Sequence, residues 1–119
     1  MNGISPQLQN QIAQYQQTQQ QLQAVSTQKM QMEAQKREMV RTSEELAKSS
    51  GDVYRNVGSL LVKVDDRKAL DDEIEESLET LDVRIKGLER QEKSLRERYD
   101  SLQDAINKAM GSMPAPESR

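Results

Sequence analysis

The residues available for chemistry are chiefly Ser, Asp, Glu and Lys, because this 119-residue sequence contains no His and no Cys. The usual proton shuttle near neutral pH, the thiol nucleophile and the ligands of most zinc sites are therefore missing. No pattern pairs a nucleophile with an orienting base, and no Gly-rich phosphate loop of the P-loop kind occurs. The sequence predicts a protein that is not an enzyme and that uses neither a metal nor a cofactor.

The composition argues against a compact globule. Hydrophobic residues make up 34% of the chain, charged residues 31%, and three tyrosines are its only aromatic residues. Such a composition is typical of an elongated helical protein or a disordered one. The net charge of −3 argues against a nucleic-acid partner. No apolar run approaches a membrane span, the N-terminus lacks the regions of a signal peptide, and the absence of cysteine fits the cytosol. We therefore expect a cytoplasmic protein without a membrane partner.

The periodicity favours a coiled coil, most clearly in a second helix predicted over residues 70–111. Its seam positions are spaced alternately by four and three residues for more than five heptads, which is typical of a left-handed supercoil. Gly111 offers a stop, and the prolines at 114 and 116 prevent continuation. The seam comprises Ile74, Leu78, Leu81, Ile85, Leu88, Glu92, Leu95, Tyr99, Leu102, Ile106, Ala109 and Met113.

A first helix is predicted over residues 7–48, with a poorer seam. Its apolar residues keep one heptad phase up to Leu22 and another from Val25 onward, which predicts a phase slip between these two residues. Residues 7–35 contain 13 Gln, so a disordered low-complexity tract is the alternative. Apolar residues at helical spacing favour the helix. Because about 20 residues separate two helices of similar length, the helices must pair antiparallel, with both chain ends at the tip far from the connection.

Residues 53–64, between the helices, predict a β-hairpin. Gly58 and Ser59 suit a two-residue turn with Gly first, so that Val57 opposes Leu60 and Arg55 opposes Val62. One face is then apolar except for Arg55. A lone hairpin is marginal in water, and this one has open edges and an apolar face to cover. The pattern therefore predicts assembly with other chains through Val53, Tyr54, Val57, Gly58, Leu60, Leu61, Val62 and Val64.

Three segments resemble β-class subunits of the archaeal prefoldin type. They are the Gln-rich stretch 9–17, the hairpin residues 53–64, and residues 81–92 with their Arg-Ile-Lys and Glu-Arg-Gln-Glu stretches. The resemblance covers roughly residues 8–110. It implies a mainly α fold, a long antiparallel two-helix coiled coil whose central β-hairpin assembles into an oligomeric β-barrel platform. It also implies a heterohexamer of two α-class and four β-class subunits.

The resemblance further implies an ATP-independent holdase that captures unfolded client proteins at its coiled-coil tips and delivers them to a group II chaperonin. For three of the candidate client contacts, Leu8, Ile12 and Ile106, the alternative is that they only close the coiled-coil seam. We expect partial fraying of the helix ends to expose apolar side chains there. Residues 112–119 follow no family pattern and are expected to form a flexible tail. The candidate client contacts are Ile4, Leu8, Ile12, Ile106, Met110 and Met113.

The rival hypothesis is a structural coiled-coil scaffold or tether that uses the hairpin as a clasp. Its second helix would have the same heptads. The connector discriminates between the two, because an ordinary antiparallel clasp needs only a short polar loop, whereas residues 53–64 are rich in β-branched and apolar residues.

Overall fold

Two long helices and a short β-hairpin make up the part of the chain that the computed structural model describes, residues 4–111. Helix α1 spans Pro6–Lys48, strand β1 spans Tyr54–Val57, strand β2 spans Leu60–Lys63 and helix α2 spans Arg67–Gly111. The prediction of a mainly helical chain with a central antiparallel β-hairpin is confirmed. Between residues 4 and 111, neither helix is both long and apolar enough to cross a membrane.

The chain divides into two compact units, and each helix contributes to both. The terminal unit contains Met1–Gln28 and Leu88–Arg119, and the hairpin unit contains Lys29–Gly87. In the hairpin unit, Leu46 of α1 is buried, as are Ile74, Leu81 and Ile85 of α2. In the terminal unit, the buried apolar side chains are Leu8, Val25 and Leu88. In both units a stripe of apolar residues on each helix thus supplies the core, as heptad spacing requires.

Both helices begin at a side-chain cap. The Leu8 amide donates a 3.0 Å hydrogen bond to Ser5 Oγ, and Pro6 is the first residue of α1, where its missing N–H costs nothing. The Ala69 amide likewise donates to Asp66 Oδ1 at 3.0 Å. This second cap corrects the sequence prediction: α2 begins at Arg67 rather than near Leu70, because Asp66 satisfies an amide of the first turn.

The phase slip predicted between Leu22 and Val25 is wrong. Thr18 is only 1% exposed and lies seven residues before Val25, at the same heptad position. The least exposed positions of α1 in the terminal unit therefore alternate by three and four residues without a break, including the half-buried Tyr15 and Leu22. The two apparent phases are the two alternating seam positions of one heptad repeat. The buried position of Thr18, a polar residue, does not show in the spacing of apolar residues.

The Gln-rich segment of α1 is helical throughout its length. Most of its glutamines are exposed, while Leu8, Thr18 and Val25 supply its buried positions. Gln is a good helix former, and tertiary packing of even a sparse seam stabilises a long helix. The disordered tract that the composition allowed as an alternative is therefore not the structure adopted.

Candidate functional site

The β-hairpin between the two helices has the register that the sequence predicts. Val57 pairs with Leu60 and Arg55 pairs with Val62 across an antiparallel two-stranded sheet. The Val64 amide extends the ladder by donating a 2.8 Å hydrogen bond to the carbonyl of Val53. Gly58 has a φ of +62°, and no described non-glycine residue has a positive φ. The turn therefore has the type II′ pattern, which requires a left-handed conformation at its first central residue only and matches the strand twist.

The hairpin exposes large apolar side chains on both of its faces. Leu61 is 70% exposed and Leu60 is 65% exposed. Tyr54, Val57 and Val62 are also exposed, whereas Val53 and Val64, at the base of the hairpin, are half-buried. Both strands are exposed along their whole length. Since apolar side chains next to unpaired strand edges are a template for pairing with other chains, this hairpin is the candidate assembly surface.

Arg55 is the one charged residue among the six that the register assigns to its face of the hairpin, residues 53, 55, 57, 60, 62 and 64. Its guanidinium lies 2.5 Å from a carboxylate oxygen of Glu73 on α2. Both side chains line an open groove together with Leu46, Leu70 and Ile74. The ion pair thus ties the apolar face of the hairpin to α2, in a groove that also contains the charged residues Glu38, Arg41, Glu45 and Asp52.

Arg67 closes the base of the hairpin, a role that sequence reasoning missed. Its guanidinium donates hydrogen bonds to the carbonyls of Leu46 and Ser49, at the end of α1, and to that of Gly51 at 3.4 Å. The last carbonyls of a helix have no partner within it and carry the negative end of its dipole, so a cation there is favourable. The first residue of α2 therefore caps the C-terminus of α1.

We expect Arg67→Ala to lower the free energy of unfolding by about 1–3 kcal/mol, because several charge-assisted hydrogen bonds to helix-end carbonyls are lost together. Lys68→Ala is the matched control, since Lys68 forms an exposed ion pair with Asp72 within the same helix. Its effect should stay below about 0.5 kcal/mol. Urea unfolding followed by far-UV circular dichroism, at one protein concentration, measures both variants. Equal effects of the two substitutions would contradict the capping role of Arg67.

The candidate client-binding residues that the structure describes all belong to the terminal unit. Ile4 is 49% exposed and Met110 is 56% exposed, while Leu8 is only 5% exposed. Ile12 and Ile106 are half-buried. Met113 lies outside the described residues, as does the rest of the predicted tail, 112–119. In this conformation, then, Ile4 and Met110 present apolar surface to solvent, and Leu8 belongs to the core of the unit.

A stacked tyrosine pair joins α1 to α2 in the terminal unit. The rings of Tyr15 and Tyr99 are 4.6 Å apart between centroids and 21° from parallel. The Tyr15 hydroxyl donates a 2.7 Å hydrogen bond to the Tyr99 hydroxyl. This hydrogen bond, followed by desolvation of the hydroxyl, raises the pKa of Tyr15 above its ordinary value. The sequence predicts Tyr99 in the α2 seam, but its direct contact with Tyr15, 84 positions away, is not visible in the sequence.

A charged cluster lies in the seam of the hairpin unit. Lys36 of α1 contacts Asp82 of α2 at 2.9 Å, and Lys86 contacts the other oxygen of the same carboxylate at 3.2 Å. Hydrogen bonds from two lysines lower the pKa of Asp82 below its ordinary value, and the bond from Lys36 contributes more than the bond from Lys86. The Asp82–Lys86 spacing follows the favourable order of a helix pair. The contact between Lys36 and Asp82 thus links the two helices across 46 positions of sequence.

Two long helices joined by an exposed apolar β-hairpin are typical of coiled-coil proteins that assemble through their strands. The edges of both strands are open for pairing with other chains. The chain belongs to the prefoldin subunit family: the model of that family, described as "Prefoldin subunit", matches residues 9–113. Prefoldin is a family of chaperones rather than of enzymes.

Related proteins place the chain beside the β subunits of this family. A prefoldin subunit beta from Methanothrix thermoacetophila is 42% identical over 116 residues, which cover 96% of this chain and 97% of that protein. One from Thermoplasma volcanium is 55% identical over 47 residues, only 40% of this chain and 38% of that protein. The crystal structure of the prefoldin beta subunit from Thermococcus strain KS-1 matches with a TM-score of 0.82 and 36% identity, covering 98% of this chain and 100% of that one. The resemblance to β-class prefoldin subunits is confirmed.

Proposed function

We propose that this chain is the β-class subunit of a cytoplasmic holdase composed of two α-class and four β-class prefoldin subunits. The observation that carries the proposal is the exposed hairpin, whose Leu60 and Leu61 are 65% and 70% exposed in the single chain. Apolar side chains this exposed, on strands with unpaired edges, are stabilised when strands of neighbouring subunits complete a common sheet. Membership of the prefoldin family supports neighbouring subunits of the same fold, joined in a β-barrel platform.

Clients are captured, in this proposal, at the helix ends of the terminal unit. The exposed Ile4 and Met110 supply apolar contacts, and fraying of the first and last helical turns adds Leu8, Ile12 and Ile106. Met is an adaptable side chain that suits many partners. The Gln-rich start of α1 carries no charge before Lys29, so it selects neither acidic nor basic clients. Each contact is weak, and several subunits acting on one client raise the avidity.

The captured client is then passed to a group II chaperonin. In this scheme the energy-consuming steps belong to the chaperonin, and the prefoldin complex only binds and releases. The chain has no Gly-rich phosphate loop of the P-loop kind, which supports binding without nucleotide. Transfer requires weak individual contacts, because a client held by a few strong ones would leave slowly.

Suppression of client aggregation tests this function. The complex of this chain with an archaeal α-class prefoldin subunit should suppress light scattering by a chemically denatured client to the same extent with and without ATP. Addition of a chelator such as EDTA should leave the protection unchanged. Either subunit alone, at the same total concentration, is the control for crowding and should protect less well. Protection that appears only with nucleotide, or no protection by the complex, would overturn the proposal.

A further inference from the structure

We propose that the Arg55–Glu73 ion pair is an assembly determinant: Glu73 neutralises Arg55 before the apolar hairpin face is buried against neighbouring prefoldin subunits. This inference rests on the proposed function, because it assumes that the hairpin is the contact between subunits. It adds a specific role for Glu73, a helix residue outside the hairpin. The carboxylate and the guanidinium are already 2.5 Å apart in the single chain.

The position of Arg55 creates the need for such a partner. Five of the six residues on its face are apolar, namely those at 53, 57, 60, 62 and 64, and Arg55 pairs directly with Val62. Packing this face against another apolar hairpin removes the guanidinium from water. A charge transferred without a partner is strongly unfavourable, whereas a paired and hydrogen-bonded charge is tolerated. Glu73 supplies the countercharge from the chain's own α2, so that the neighbouring subunit can be wholly apolar opposite Arg55.

The surroundings of the pair support its burial on assembly. In the single chain, the Arg55 and Glu73 side chains are 47% and 54% exposed, so water still screens them and the pair contributes little to the stability of the free chain. Both border a groove that combines the apolar side chains of Leu46, Leu70 and Ile74 with the charged ones of Glu38, Arg41, Glu45 and Asp52. A neighbouring hairpin seated on the apolar face would cover the pair and remove this screening. The effect of breaking it should therefore appear in assembly rather than in folding.

Other ion pairs near the hairpin provide matched controls. Asp72 precedes Glu73 on α2 and contacts Lys68, four residues earlier, at 3.4 Å, with both side chains largely exposed. Asp72→Asn therefore removes one negative charge from the adjacent position without touching Arg55. Lys63 and Asp52 form a second, looser pair at 3.9 Å, and the register places Lys63 on the opposite face from Arg55. Asp52→Asn should also leave assembly unchanged.

The test compares Glu73→Gln, Asp72→Asn and the double variant Arg55→Met/Glu73→Gln with the unaltered chain. Each is titrated with an archaeal α-class prefoldin subunit, and the concentration at half-assembly is measured by analytical ultracentrifugation. Glu73→Gln should raise this concentration by about 30-fold or more, because it leaves a buried guanidinium without its carboxylate. Asp72→Asn should leave it unchanged. The double variant should return to within about threefold of the unaltered chain, since an uncharged pair removes the desolvation cost.

The thermal midpoint and helical content of each unassembled variant should match those of the unaltered chain, which excludes a purely structural effect. Assembly of Glu73→Gln at the unaltered concentration would overturn the inference, as would equal weakening by Asp72→Asn or a double variant that does not recover. Leu61→Asp, on the hairpin face opposite Arg55, distinguishes a failure of hairpin-mediated assembly from a failure of the role of Glu73 alone. If the unaltered chain does not assemble, or Leu61→Asp assembles equally well, hairpin-mediated assembly itself fails, and the role of Glu73 fails with it.

Discussion

Leu61→Asp and Val62→Asp are each expected to abolish assembly with an α-class subunit while leaving the helical content of the chain nearly unchanged. Leu61 is 70% exposed and Val62 is 42% exposed in the single chain, so neither substitution removes a core residue. In the assembled state, however, each new carboxylate would be removed from water, the one at 61 opposite the uncharged Asn56 and the one at 62 opposite Arg55, which already pairs with Glu73. The cost of about 4 kcal/mol or more corresponds to at least about a thousandfold loss in the assembly constant.

Val83→Asp is the matched control for these hairpin variants. Val83 is an apolar residue of α2 that lies in the hairpin unit and is 68% exposed. The Val83→Asp substitution therefore introduces the same charge at a similarly exposed site outside the hairpin. Light scattering should show an unchanged complex for Val83→Asp and unassembled subunits for both hairpin variants. Complexes of unchanged mass for both Leu61→Asp and Val62→Asp would show that the hairpin is not the assembly surface.

Removal of residues 1–12 together with 107–119 is expected to leave the complex assembled but to weaken its protection of clients. The deletion removes Ile4 and Met110, the two exposed apolar residues among the described candidates, together with Leu8 and Ile12. The hairpin unit, residues 29–87, is untouched. Because several weak contacts act together, the concentration needed for half-maximal protection should rise by about tenfold or more. Mixing truncated and intact subunits should give a graded loss.

Point substitutions separate the exposed tip residues from the seam. Ile4→Ser with Met110→Ser should reduce protection without lowering the stability of the terminal unit. Met30→Ser is the matched control, since Met30 is 63% exposed but lies in the hairpin unit. If the truncated complex assembles and protects a denatured client as well as the intact one, the tip hypothesis is wrong, and the client must bind the inner helix faces or the platform.

The features that local pattern determines were predictable from the sequence. The α2 seam could be traced because its heptad positions are nearly all apolar, and the hairpin register followed from the turn at Gly58 and the alternation of Val, Arg and Leu around it. The phase of α1 is not predictable in this way, because a polar residue, Thr18, occupies a buried seam position. Apolar periodicity alone cannot identify such a residue.

The contacts between distant residues could not be read from the sequence. Arg67 looks like a solvated charge at the start of a helix until the chain reversal brings it to the carbonyls at the end of α1. The Arg55–Glu73 and Lys36–Asp82 pairs link residues 18 and 46 positions apart. A charged residue has many possible partners of opposite sign along the chain, and only the fold selects one. Apolar residues near both chain ends could be proposed as client contacts from the sequence, but their exposure could not be predicted: Leu8 is buried, whereas Ile4 and Met110 are exposed.

The mass of the complex formed by this chain with an archaeal α-class prefoldin subunit is the most direct test of the central claim, that the exposed hairpin makes this chain a building block of a prefoldin hexamer. Native mass spectrometry of the mixture should give one dominant species containing two α-class subunits and four copies of this chain. Leu61→Asp should remove that species. A mixture that contains only the separate subunits, or a complex that forms equally well with Leu61→Asp, would contradict the claim.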